Sequence, residues 1–226
     1  MRLRRKFQNL ISNLVTFGDS WPAGAELEDR TQAFGHLLAK MSNASVYKNC
    51  AIDATSNDRM ILQLQEYIQD NASVTDHVAI FFITSPSRHL HLDYKNNIKE
   101  LKVPPDYRTE SDPVVANWYR YFQSDPSDYF NLYKLLLSLQ RICEQYQIRD
   151  YYISGWTDLN FSKKPLGVDT KKIFPRTCTK MFGLKNQMEF GNIGQNQYIY
   201  PNAGHPNEQG HLLIANSLYK WITSEI

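Results

Sequence analysis

Two short segments, far apart in the chain, hold the residue types needed to attack a carbonyl carbon. The first, Val15-Thr-Phe-Gly-Asp-Ser-Trp-Pro-Ala-Gly24, puts Ser20 just past an apolar run, on a turn flanked by glycines. A serine hydroxyl is a poor nucleophile until a base removes its proton. A turn at a strand end exposes Oγ and lets neighbouring backbone N–H groups converge on the same point. The second segment, Asn202-Ala-Gly-His-Pro-Asn-Glu-Gln-Gly-His211, offers His205 as that base. Each segment alone also suits an ordinary role, a strand-to-loop turn for the first and a capping histidine for the second. Together they suit acyl transfer through a serine.

The elements that must position these residues are legible from periodicity. Met60, Ile61, Leu64, Tyr67 and Ile68 repeat at three- and four-residue spacing, which predicts a helix over 57–70 capped by Ser56 or Asn57. Leu132, Leu135, Leu136, Leu139, Ile142, Cys143 and Tyr146 predict a second over 127–147, with Ser127 as its cap. Ile214, Leu218, Trp221 and Ile222 predict a third over 207–222, capped by Asn207, and a less regular helix covers 31–41. Strand-like runs fall at 14–17, 45–47, 78–83 and 151–154, the third continuous enough to be buried on both faces. Alternating strands and helices imply an α/β fold with a parallel sheet, whose ligands bind beyond the carboxyl ends of the strands. That rule points to 18–24, 49–57, 84–91 and 154–160. The pattern-poor stretches 85–126 and 155–204 are expected to be long functional loops within a single domain spanning 1–226.

In block order the chain resembles the SGNH (GDSL-like) hydrolases, which open on Gly-Asp-Ser and close on Asp-x-x-His-Pro-Asn-x-x-Gly. His205-Pro-Asn-Glu-Gln-Gly210 matches the closing block, about 185 residues after the Ser20 block. The resemblance implies a three-layer α/β/α sandwich, flavodoxin-like, with about five parallel strands. It also implies Ser20 as nucleophile and His205 as base, acting on an ester without metal or other cofactor.

The middle blocks depart from the family. Asn49-Cys-Ala-Ile-Asp-Ala-Thr-Ser-Asn57 resembles the second block with Ala54 in the place of its oxyanion-hole glycine, which is tolerable if φ there is negative. The third block's asparagine is missing from Thr84-Ser-Pro-Ser-Arg88, where Thr84, Ser85 and Arg88 are the candidate donors. Losing one such donor costs roughly 3–4 kcal/mol of transition-state stabilisation. The family's orienting aspartate, three residues before the histidine, is here Asn202. Asparagine can accept the Nδ1–H bond but brings no charge, and in a well-studied triad that exchange costs about 10⁴ in turnover. Three options stand open: a Ser–His dyad, a carboxylate from elsewhere such as Glu208, or a scaffold that binds without turnover. A working, slow esterase is the favoured expectation. Its rival is an inactive scaffold serving carbohydrate binding or assembly.

Bulk properties exclude several other classes. With 42% hydrophobic and 21% charged residues the chain has the profile of a folded soluble protein, and a net charge of +2 implies no nucleic-acid partner. No window approaches the ~18 apolar residues of a membrane span. The basic start Met1–Phe7 lacks the apolar stretch and cleavage site of a signal peptide, so an intracellular location is the default. Cys50, Cys143 and Cys178 suggest neither a disulfide framework nor a zinc site. No phosphate-cradling glycine motif follows a strand. His89-Leu-His91 is a weak metal pair without carboxylates at matching spacing.

Substrate preference is expected to lie in the loops. Seven basic residues between Lys163 and Lys185, against Asp169 alone, could draw an anionic substrate or be neutralised locally. Trp21, Trp118 and Trp156 fall near the expected mouth, and aromatic platforms suit sugar rings. The expected substrate is therefore a small-molecule or carbohydrate ester, with an O-acetylated sugar preferred over a long-chain lipid. Oligomeric state is not readable.

Overall fold

A computed structural model describes residues 11–71, 75–86, 88–92, 98–101, 113, 116–117, 125–155, 157–159, 166–184, 196–200 and 204–224. Four parallel strands form its centre: β1 (Asn13–Phe17), β2 (Val46–Asn49), β3 (His77–Ile83) and β6 (Arg149–Ser154), in the spatial order β2-β1-β3-β6. Their registers are parallel throughout, with Leu14 beside both Tyr47 and Val78, and Ile80 beside Tyr151. A fifth strand is reduced to one parallel bridge, Tyr152 to Ile173, where the Phe174 N–H donates to the Tyr152 carbonyl at 2.8 Å. Among the described residues the parallel sheet thus has four strands and this single-residue remnant, slightly fewer than the about five expected.

Strand alternation sends side chains to two cores. Leu14, Val78, Ile80, Phe82 and Ile153 face helix α2 (Phe34–Ser42) and helix α6 (Glu208–Ser224), meeting Phe34, Leu38, Ile214 and Leu218. Val15, Phe17, Ala79, Phe81 and Ile83 face helix α3 (Arg59–Asp70) and helix α4 (Asp125–Gln145), meeting Met60, Leu64, Leu135 and Leu139. All seven residues of β3 are buried, as its unbroken apolar run predicts. The result is a three-layer α/β/α arrangement, with one further short turn, α5 (Cys178–Met181), ahead of α6.

Within the stretch expected to be irregular, β4 (His89–Leu92) and β5 (Ile98–Leu101) pair antiparallel. A second expectation also shifts. Helix α3 starts behind Asp58, which makes no side-chain cap, and Asn57 is engaged elsewhere. Asn207 does cap α6, its Oδ1 accepting the Gly210 N–H at 3.0 Å. Among the described residues no helix is long and apolar enough to cross a membrane.

Candidate active site

The carboxyl ends of β1, β2 and β3 build the first half of the site. β1 stops at Gly18, whose φ of +139° and close approach to Phe82 leave no room for a Cβ. The chain then enters a single helical turn, α1 (Ser20–Ala23), which presents Ser20 at its first position, 8% exposed. An N–H at that position has no partner four residues back, so it is free to point at a developing oxyanion. The turn is tied down from β2 and the loop after it: Asn49 Nδ2 donates to the Pro22 carbonyl at 2.7 Å and the Ile52 N–H donates to the Gly18 carbonyl at 3.0 Å.

Asp19 is fully buried beside the nucleophile. Its Oδ1 accepts the Trp21 N–H at 3.2 Å, and its Oδ2 lies 3.2 Å from Arg88 Nη1. Burial pushes its carboxyl above the usual carboxylate range, against the opposing pull of the Thr84 hydroxyl, the Arg88 guanidinium, the Trp21 N–H and His205. Arg88 is therefore not a solvated loop arginine. It is three-quarters covered and salt-bridged to the nucleophile turn.

The histidine arrives on a tight loop feeding α6. The Tyr200 N–H donates to the His205 carbonyl at 2.9 Å, the Asn207 N–H to the Tyr198 carbonyl at 3.0 Å, and Gly204 supplies a φ of +71°. Gly210 completes this frame, because a Cβ there would run into the Tyr198 carbonyl. The loop sets His205 Nε2 2.9 Å from Ser20 Oγ across 185 residues of sequence.

The other ring nitrogen departs from expectation. His205 Nδ1 is buried, and the polar atom beside it is Glu26 Oε1 at 3.1 Å, off the ring's in-line axis and so without the geometry of a full hydrogen bond. Glu208, the carboxylate considered from sequence, instead accepts the Tyr200 hydroxyl at 2.9 Å. Asn202 lies outside the described residues. Burial, then Glu208, Glu28 and Glu26, push the Tyr200 phenol up to about 12, so three carboxylates share this corner. Sequence reasoning missed Glu26. The available signal was a carboxylate six residues past the serine, behind a second turn glycine.

Ala54 has φ +59°, not the negative value that would have made the glycine's loss costless. The neighbouring turn is locked to the end of β3: Asn57 Oδ1 accepts the Thr84 N–H at 2.9 Å, and its Nδ2 donates to the Thr84 and Ser85 carbonyls at 3.2 and 3.3 Å. Thr84 is buried and Ser85 half-buried at this junction.

Other expected site features fall elsewhere. Trp21 is 2% exposed and packs on Phe82 and Phe182, so it is core rather than a platform at the mouth. Trp118 and Trp156 lie outside the described residues. Among the described residues of the basic loop, Lys172 pairs with Asp150 and Lys180 with Asp158, each at 2.7 Å. His89 lies between Asp58 and Asp128, 3.8 and 3.6 Å from their oxygens, and the His91 side chain is outside the described set. Among the described residues no group of three or more His, Cys, Asp or Glu side chains is placed to hold a metal ion.

No family model and no curated protein matches the chain. Solved structures do. A putative lipolytic protein of the G-D-S-L family from Desulfitobacterium hafniense aligns at TM-score 0.54 and 10% identity, covering 93% of this chain and 99% of its own. TesA aligns at TM-score 0.52 and 10% identity over 95% of this chain and 99% of that one. A two-domain esterase active on acetylated mannans aligns at TM-score 0.51 and 12% identity, with 99% of this chain spanning 51% of that one. With the serine turn at the end of β1 and the histidine loop ahead of α6, the chain has the fold of the SGNH, or G-D-S-L, hydrolases.

Proposed function

We propose that this protein is a serine esterase that transfers an acyl group from a small-molecule or carbohydrate ester to water. The observation that carries the proposal is the 2.9 Å contact between Ser20 Oγ and His205 Nε2. In this reading His205 takes the hydroxyl proton as Oγ attacks the ester carbonyl. The Ser20 and Ala54 N–H groups receive the oxyanion, with Arg88, fixed by Asp19, as the cation nearest in the chain to the missing third-block asparagine. His205 then protonates the leaving alcohol, and water releases the acyl group by the same steps in reverse. The mannan-active neighbour favours an O-acetylated sugar as substrate.

A fluorophosphonate probe tests the proposal. Ser20 should label, and Ser20→Ala should abolish labelling while lowering ester turnover by at least about 10³-fold. A folded wild-type protein that takes no label would favour the rival, a non-catalytic scaffold that binds carbohydrate.

A further inference from the structure

We infer that Glu26 is the positioning carboxylate of this site, supplied from the nucleophile's own loop rather than from the histidine's. The inference rests on the esterase reading above and extends it to the third member of the catalytic set.

The chemistry requires such a group. If Nε2 is to accept the serine proton, Nδ1 must carry the ring's own hydrogen, and that N–H needs an acceptor. Nδ1 is buried, so water is not at hand, and Glu26 Oε1 stands 3.1 Å away. A glutamate 38% exposed has rotamer freedom with which to bring that oxygen toward the N–H axis. Two other nearby carboxylates are already engaged. Glu208 holds the Tyr200 hydroxyl, and Asp19 holds Arg88 and the Trp21 N–H.

The backbone explains why Glu26 is in reach. After α1 the chain turns back through Gly24 at φ +72°, the Ala25 N–H donates to the Ser20 carbonyl at 2.9 Å, and Glu26 itself adopts φ +70°. Leu27, 6% exposed, then anchors the turn in the core. A glutamate held in the left-handed region is uncommon, and such outliers gather at functional sites. Ser20 and Glu26 thus belong to one rigid turn, and His205 docks between them. A neutral residue at position 202 is then no handicap.

The test compares Glu26→Gln, Glu26→Asp and Glu208→Gln with wild type. Glu26→Gln should lower kcat by about 10²- to 10³-fold with KM within about threefold, less than the ~10⁴ of a buried triad aspartate because Glu26 is partly solvated. Glu26→Asp should recover at least about tenfold of that loss, and Glu208→Gln should stay within about threefold of wild type. Imidazole ¹⁵N shifts give a readout independent of turnover: His205 should favour the Nδ1–H tautomer in wild type and lose that preference in Glu26→Gln. An unchanged tautomer with kcat within about threefold of wild type would overturn the inference. If wild-type Ser20 takes no fluorophosphonate, the esterase reading fails separately, and the tautomer shifts alone decide whether Glu26 governs the ring.

Discussion

Ala54, at φ +59°, holds a conformation that costs an L-residue roughly 1–2 kcal/mol and glycine almost nothing. Ala54→Gly should therefore raise unfolding free energy, by up to about 1 kcal/mol after the greater chain entropy of glycine is counted. A chemical-denaturation midpoint at constant m-value measures it. The same exchange should leave probe labelling of Ser20 intact, since the N–H stays in place. At this scale the contact between Ser20 and His205 was legible because each sits in a motif whose neighbours are themselves constrained. Gly18 must pass Phe82, and Gly210 must pass the Tyr198 carbonyl. Glu26 was not legible as a neighbour of His205, because its position depends on positive φ angles at Gly24 and at Glu26 itself that a run of Gly-Ala-Glu-Leu does not announce. Trp21 was misplaced for a related reason: its one-turn helix rolls the indole inward onto Phe82.

The element that matters most for the base is α6 and the loop feeding it. Gly210 lies in the first turn of this helix, against the carbonyl of Tyr198, whose oxygen accepts the Asn207 N–H. Gly210→Ala should push helix and loop apart, costing about 1–3 kcal/mol of stability. It should also depress kcat more than KM, because the 2.9 Å contact between His205 and Ser20 opens; a melting curve with steady-state kinetics checks both. Helix positions were readable from apolar spacing, and the bounds of α3, α4 and α6 fall within two residues of expectation. Caps were less readable. Asn57 looked like a helix cap, yet its amide bridges to Thr84 and Ser85, since a buried junction between two loops needs those bonds more than a solvated helix end does. Among the described residues of the 155–204 stretch, Ile173 alone pairs with the edge of β6, so the fifth strand is reduced there to one bridge.

For the whole molecule, the buried histidine of α6 sets an acid limit. His211 is fully buried and accepts the Phe34 N–H on Nδ1 at 3.2 Å, and burial, aided by His205, lowers its folded-state value to about 3. Its unfolded value is near 6.5, so between the two the unfolded chain binds the extra proton. Its contribution is complete above pH ~6.5 and is lost as pH falls toward 3, at about 1.4 kcal/mol per pH unit. Asp19 and Asp150, both raised by burial, act in the opposite sense as pH rises from their unfolded value of 3.8. His211→Gln, which keeps an acceptor for the Phe34 N–H, should flatten the dependence of unfolding free energy on pH between about 6.5 and 4. The α/β class was legible at this scale because alternating strands and helices leave few ways to bury both sheet faces. The charge network was not, since Asp19–Arg88 and His205–Glu26 join segments that only the folded sheet brings together.

One consequence follows from the 185 residues between hydroxyl and imidazole. A ribosome adding about 5–20 residues per second needs roughly 10–40 s to cover that distance, so Ser20 emerges long before its proton acceptor exists. A half-made copy is chemically silent, and reactivity switches on only when α6 docks. Nascent chains stalled before position 205 should leave a fluorophosphonate untouched.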